Sequence, residues 1–193
     1  VMEDDEWEQK IIPIIYRPFD RRWIFYSEHV VDRLRKEIMQ NMECENLALL
    51  ASKQQAVKGF HHALVTTQIS ESCVVSNKTK EGNYHFSLHL CKPKPKQKSK
   101  SSHSHLMMLF EPDVEYYDSK PNLTGVLADI FHKTYGKTPE PKEVFYYIDA
   151  VLYSNTYRTK YAEFLKIDFP RVPFTKDYNL FKKWAVMAKS LLN

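Results

Sequence analysis

The sequence predicts an α+β fold, with a strand-rich N-terminal lobe followed by a helical C-terminal lobe. Three observations carry this. Apolar and polar residues alternate through Tyr84-His85-Phe86-Ser87-Leu88-His89-Leu90, the two-residue period of a strand, which puts Tyr84, Phe86, Leu88 and Leu90 on one face. From Leu123 onward the apolar period lengthens to that of helices. Between the two, Lys92 to His105 is made of Pro, Lys, Ser, Gln and His, a composition that adds nothing to a core and reads as a loop or hinge. The strand-rich part is placed at residues 1–115 and the helical part at 116–193, as two parts of one domain. With 193 residues, 43% of them hydrophobic, the chain is long enough to bury a real core.

Taken in order, Ile11 to Tyr16 and Trp23 to Tyr26 read as two short strands around a turn carrying Pro18 and Asp20. Ser27 is placed to cap a helix running from Glu28 to about Met42, because Val31, Leu34, Ile38 and Met42 recur at helical spacing. Asn46 to Ala51, His62 to Ile69 and Ser72 to Ser76 are further β-rich stretches, the last two separated by Gln68-Ile69-Ser70-Glu71. In the second half, helices are expected over Leu123–Thr134, Lys142–Tyr153, Thr156–Lys166 and Tyr178–Leu192. Their starts are marked by Asn122 or Thr124, by Pro139 and Pro141, and by Asn155 or Thr156.

Composition bounds the function. No apolar run approaches the ~20 residues of a membrane span, and the acidic start is unlike a secretory signal, so a cytoplasmic location is the default expectation. The opening at Val1, close to a strand, suggests a fragment of a longer polypeptide. Cys44, Cys73 and Cys91 are odd in number and widely spaced, which favours free thiols over a disulfide framework or a zinc ribbon. The net charge of +4 is concentrated in Lys92, Lys94, Lys96, Lys98 and Lys100; without them the 28 basic residues fall just below the 24 acidic ones. Charge alone therefore argues weakly for nucleic acid.

Catalytic machinery is missing from the sequence pattern. Four scattered glycines, Gly59, Gly82, Gly125 and Gly136, make neither a phosphate-cradling loop nor a dinucleotide fingerprint. No Asn-Pro-Pro-Tyr-like or Asp-Pro-Pro-Tyr-like motif of an amino-methyltransferase and no convincing nuclease Glu-x-Lys occurs. His85 and His89 fall on the same face of a strand, and His61-His62 and His103-x-His105 are also close in sequence, but with no third ligand they read as surface imidazoles rather than a metal site. No catalytic or metal-binding residue is assigned.

From Tyr16-Arg17-Pro18-Phe19-Asp20-Arg21-Arg22-Trp23-Ile24-Phe25-Tyr26 onward the sequence resembles the C-terminal specificity region of Type ISP restriction–modification enzymes and their single-chain Type IIG relatives. The likeness continues through Glu45-Asn46-Leu47-Ala48-Leu49, Ser52-Lys53-Gln54, Gln68-Ile69-Ser70-Glu71 and Glu81-Gly82-Asn83-Tyr84. It is strongest from Ser154 to Phe174. This resemblance implies a target-recognition domain that reads double-stranded DNA for an upstream adenine-N6 methyltransferase and a restriction endonuclease of the same polypeptide. S-adenosylmethionine, ATP and Mg would then serve the parent, with no cofactor in this fragment. A non-catalytic protein-interaction or structural module is the competing reading.

Within that reading Ser52, Lys53 and Gln54, and likewise Gln68, Ser70 and Glu71, place polar side chains at the ends of apolar strands. Lys, Gln, Ser and Glu can reach guanine, adenine, phosphate and cytosine edges respectively. Lys78 and Thr79 belong to a further polar loop. Arg17 and Arg22 either bind phosphate or, with Arg21, pair with Asp20 and Glu28. The Tyr157 to Phe174 run reads mainly as packing, with four of its Tyr and Phe side chains buried; Arg158, Lys160 and Arg171 are the exceptions able to reach phosphate.

Overall fold

A computed structural model describes residues 7–55, 60, 63–77, 81–93 and 117–192. Its strands come first and its helices after, so the α+β expectation holds. β1 (Ile11–Arg17) and β2 (Asp20–Phe25) form an antiparallel hairpin in which Ile14 faces Arg22 and Arg17 faces Asp20. β5 (Ile69–Ser70) joins the other edge of β1 in parallel. A second, antiparallel sheet has the order β4 (Ala63–Thr66), β3 (Ala48–Ser52), β6 (Asn83–Ser87). β7 (His89–Pro93) pairs with β8 (Tyr117–Pro121) in a separate ribbon.

β3 is the middle of the molecule. All five of its residues are buried, because the strand is covered on both faces. Ala48 packs with Ile14, Met42 and Ile69 against the hairpin sheet, while Leu49 packs with Phe60 and with Phe131, Val144 and Phe181 of the helical side. One core cluster thus draws on both halves of the chain.

The helices start and stop for local reasons. α2 (Gly125–Tyr135) ends on Gly136, whose φ of 72° is the left-handed cap conformation, with its amide donating to the His132 carbonyl at 2.9 Å. α3 (Pro141–Tyr153) takes Pro141 at its first position, and the Glu140 amide donates to the Glu143 carboxylate at 3.2 Å. α4 (Asn155–Lys160) is capped by the Ser154 hydroxyl, one residue before the expected Asn155 or Thr156. α5 (Ala162–Leu165) is separate from it, the expected single helix breaking at Tyr161. α6 (Tyr178–Leu192) has the bounds read from the sequence.

Several expectations are corrected. The helix over Glu28–Met42 shrinks to α1 (Lys36–Met39) and a 3-10 turn at Gln40–Met42. Tyr26 donates its hydroxyl to the Leu34 carbonyl, the acceptor a longer helix would need, and Arg35 at φ 51° reverses the chain before α1 starts. Ser72–Ser76 forms turns rather than a strand, since side chains take its amides: Glu71 accepts from Cys73 at 2.9 Å and Asn83 from Val74 at 2.9 Å.

Cys44 and Cys91 are joined in a disulfide, leaving Cys73 free among the described residues. Their 47-residue separation hid the pair. What brings β7 to that turn is side-chain bonding, with the Cys91 amide donating to Asn41 Oδ1 at 2.8 Å and Asn46 Nδ2 to the His89 carbonyl at 2.8 Å.

The alternating run divides at Leu88. Its amide donates to the Leu47 carbonyl and its own carbonyl accepts from Asn122, so Tyr84 and Phe86 stay on β6 while Leu90 passes to β7. Tyr84 and Phe86 both meet Phe169 edge-on, at 4.9 and 5.6 Å. His85 is no surface imidazole: it lies on the opposite face of β6, and burial pushes its pKa down to about 4 against the opposing influence of the Gln68 backbone. His89 is likewise half-buried, on another sheet. In the Tyr157 to Phe174 run, Tyr157 is buried, Tyr161, Phe169 and Phe174 are half-buried, and Phe164 is 69% exposed.

Candidate functional site

Residues nominated from the sequence converge at one end of the two main sheets, and hydrogen bonds between loops bring them there. β3 ends at Ser52, opposite Asn83 of β6. Ser52 is 1% exposed, and its hydroxyl donates to the Glu81 carbonyl at 2.9 Å. The Asn83 amide donates to the Ser72 carbonyl at 2.9 Å, and its side chain donates to the Ser70 hydroxyl at 3.2 Å. The turn after β5 is thereby fixed beside the end of β3.

A second set of bonds ties in the hairpin. Arg17 Nη1 donates to Glu71 Oε2 at 2.7 Å, and Glu71 also accepts from the Cys73 amide and, at 3.0 Å, from the Ser72 hydroxyl. Burial opposes ionisation of Glu71, but those donors and the Arg17 charge outweigh it and hold the carboxyl below its ordinary range. Arg22 pairs with Asp20 at 2.9 Å. Both guanidinium groups stack on Tyr16, at 4.1 Å for Arg17 and 3.9 Å for Arg22.

Lys53 and Gln54 leave this scaffold exposed. The chain is caught again immediately afterwards, where the Gln55 amide donates to the Lys166 carbonyl at 3.1 Å. Two long polar side chains are therefore presented between fixed points, a rigid mount for contact with a polar ligand.

Arg17, Arg22, Ser52, Lys53, Gln54, Ser70 and Glu71 are thus brought to one region, with Ser52 and Ser70 buried and the two arginines and Glu71 paired. Gln68 is placed at the other end of β5, in a turn where its amide donates to Thr66 Oγ1 at 3.0 Å and its side-chain oxygen is buried. Lys78 and Thr79 lie outside the described residues, as do Lys94, Lys96, Lys98 and Lys100 of the lysine tract. Asn83, Glu81 and Tyr16 belong to the blocks that carry the family resemblance but are not among the candidate contacts read from the sequence. Asn83 follows Gly82 at the start of an alternating strand, a turn signal, but its two side-chain bonds, to Val74 and Ser70, depend on the turn after β5 folding back against the start of β6.

A family model described as the Type ISP C-terminal specificity domain matches residues 2–193. No curated protein is matched. Among solved structures, a DrdV–DNA complex is similar at a TM-score of 0.71 and 23% identity, over 96% of this chain and 16% of that one. The Type ISP restriction–modification enzyme LlaGI, as a nuclease-deletion mutant in complex with a DNA substrate mimic, gives 0.61 and 18%, over 94% and 11%. The ATP-dependent Type ISP enzyme LlaBIII bound to DNA gives 0.65 and 16%, over 94% and 10%. At these identities the likeness establishes the fold, and the chain spans no more than about a sixth of those polypeptides.

Proposed function

The chain belongs to the Type ISP C-terminal specificity domain family, and from that premise we propose that it reads double-stranded DNA sequence for a fused adenine-N6 methyltransferase and restriction endonuclease. Residues 1–115 and 116–193 act as two parts of one recognition domain. The observation that carries the reading is the presentation of Lys53 and Gln54, exposed at the end of a strand buried on both faces. Base readout needs long donors and acceptors on a mount that does not yield. Ser52, Ser70 and Glu71 hold that mount. Arg17 and Arg22 exchange part of their carboxylate pairing for phosphate, and Lys78 and Thr79, which lie outside the described residues, are further DNA contacts in this reading. Gln68 fixes the β4–β5 turn.

In this proposal the chain itself is not an enzyme. Its partners are DNA and an upstream methyltransferase domain, S-adenosylmethionine, ATP and Mg are used by the parent, and the polypeptide works in the cytoplasm. Among the described residues no helix is long and apolar enough to cross a membrane. A protein-interaction module is the second reading, favoured by Phe164 and Ile167, 69% and 65% exposed beside one groove.

Sequencing of methylated sites separates the two. In the full polypeptide Lys53→Ala and Gln54→Ala should each relax methylation at one base position, at a cost of about 1–3 kcal/mol there, with non-specific affinity nearly unchanged. Variants that keep the parental motif, alongside a Phe164→Ser change that abolishes assembly with another protein, would favour the second reading.

A further inference from the structure

The β1–β2 hairpin carries features that the proposed recognition does not use. Its turn consists of Pro18 and Phe19. Proline fixes its own φ near −65°, and Phe19 follows at φ 65°, a left-handed position that such turns ordinarily fill with glycine. A bulky aromatic is held there with its side chain wholly in solvent, 102% exposed. Turn chemistry and hydrophobic burial would both remove it. Sparsely populated backbone conformations of this kind collect at ligand clamps, where the surroundings over-determine them.

Those surroundings are braced and cationic. Arg17 and Arg22 stack on Tyr16 directly behind the tip, the first tied to Glu71 and the second to Asp20. Arg21 and Trp23 alternate with Arg22 and so share the other face of β2. Arg21 is exposed with no ion pair among the described residues, and Trp23 is 73% exposed. Phe19 at the tip and Trp23 on β2 are separated by exposed Arg21 and Arg22, and so differ from the continuous apolar patch that a protein partner would cover. It matches an apolar wedge with cationic flanks, the form in which side chains enter between base steps of duplex DNA.

We propose that the hairpin is such a wedge: Phe19 inserts at one base-pair step while Arg21 and Trp23 lie along the groove beside it. The inference rests on the DNA-reading function proposed above, and the Arg17–Glu71 pair places the wedge beside the Lys53 and Gln54 mount. Its contribution is to the shape of the DNA, so a flexible pyrimidine–purine step is the expected point of entry.

The test uses the full polypeptide and duplexes of its methylated motif, with 2-aminopurine placed at each position within and beside the site in turn. Binding of the unsubstituted protein should raise fluorescence at one step apart from the methylated adenine. Phe19→Gly, which suits the turn and should leave the melting temperature unchanged or higher, should abolish that signal and weaken binding on the order of ten-fold. Phe19→Leu should keep part of both. A Phe19→Gly protein with the same fluorescence pattern and affinity overturns the wedge. So does a loss of activity in that variant when the unsubstituted protein gives no such signal, since the tip would then be docking on protein. In either case a motif that still shifts in Lys53→Ala or Gln54→Ala leaves sequence recognition standing, whereas equal binding of all duplexes by the unsubstituted protein removes both.

Discussion

Glu71 is held ionised by three donors although its surroundings are partly dry, and it is the residue on which the hairpin and the β5 turn both depend. Its folded pKa is lowered, so its contribution to stability is present above the unfolded value of about 4.3 and is lost as pH falls through the lower folded value. Glu71→Gln should therefore cost about 1 kcal/mol at neutral pH, because Arg17 and Glu71 are partly exposed and screened. Chemical denaturation of the two proteins should show that difference closing below about pH 4. Lys53 and Gln54, by contrast, make no side-chain hydrogen bond or ion pair among the described residues, Lys53 adding only a minor charge effect on Asp168, and substitutions there should move the unfolding midpoint little.

At the level of the element, the sequence is most legible where periodicity is long and caps are strong. α3 and α6 combine steady apolar spacing with clear boundaries, and their extents were readable almost to the residue. The Glu28–Met42 segment has the same spacing but is held otherwise by a bond from outside it. Tyr26 has its pKa raised to about 12, chiefly by burial and then by Glu43, and stays a hydroxyl donor to the Leu34 carbonyl at every physiological pH. Tyr26→Phe should cost about 1 kcal/mol, and hydrogen exchange should quicken in 27–35 before it does in β3. Unchanged exchange there would mean that the segment is shaped by Arg35 alone. The same limit applies at the candidate site: strand ends and polar residues can be found along the chain, but that Asn83 holds the Ser70–Val74 turn beside the end of β3 depends on three segments meeting. Gln68 and Glu71, three residues apart in sequence, ended on opposite sides of that division because two residues of buried strand lie between them.

Across the whole molecule two buried titratable groups pull against each other. Burial raises the Asp149 pKa to about 6, with Arg158 acting in the opposite sense, so this carboxylate destabilises the fold above that pH and is relieved as pH falls. His85, held near 4, removes stability as pH falls from about 6.5. The two windows overlap and each term is on the order of 3 kcal/mol, so their sum should be nearly level between about pH 6 and pH 4.5. Denaturant unfolding at those two values should find Asp149→Asn losing stability on acidification and His85→Phe gaining it; two flat responses would refute the balance. Both groups lie in a molecule whose central strand belongs to two packings at once, and this governs how such a chain can acquire a new target. Side chains at 53 and 54 emerge after the last buried position of β3, so they are free to diversify. An inserted residue within β3 would exchange Ala48 and Leu50 with Leu49 and Ala51 between unlike neighbours. A chimera that took its hairpin and helices from different relatives would ask one strand to fit two surfaces that had never been matched. Altered specificity is therefore to be sought by grafting loops, and lobe shuffling should yield insoluble protein.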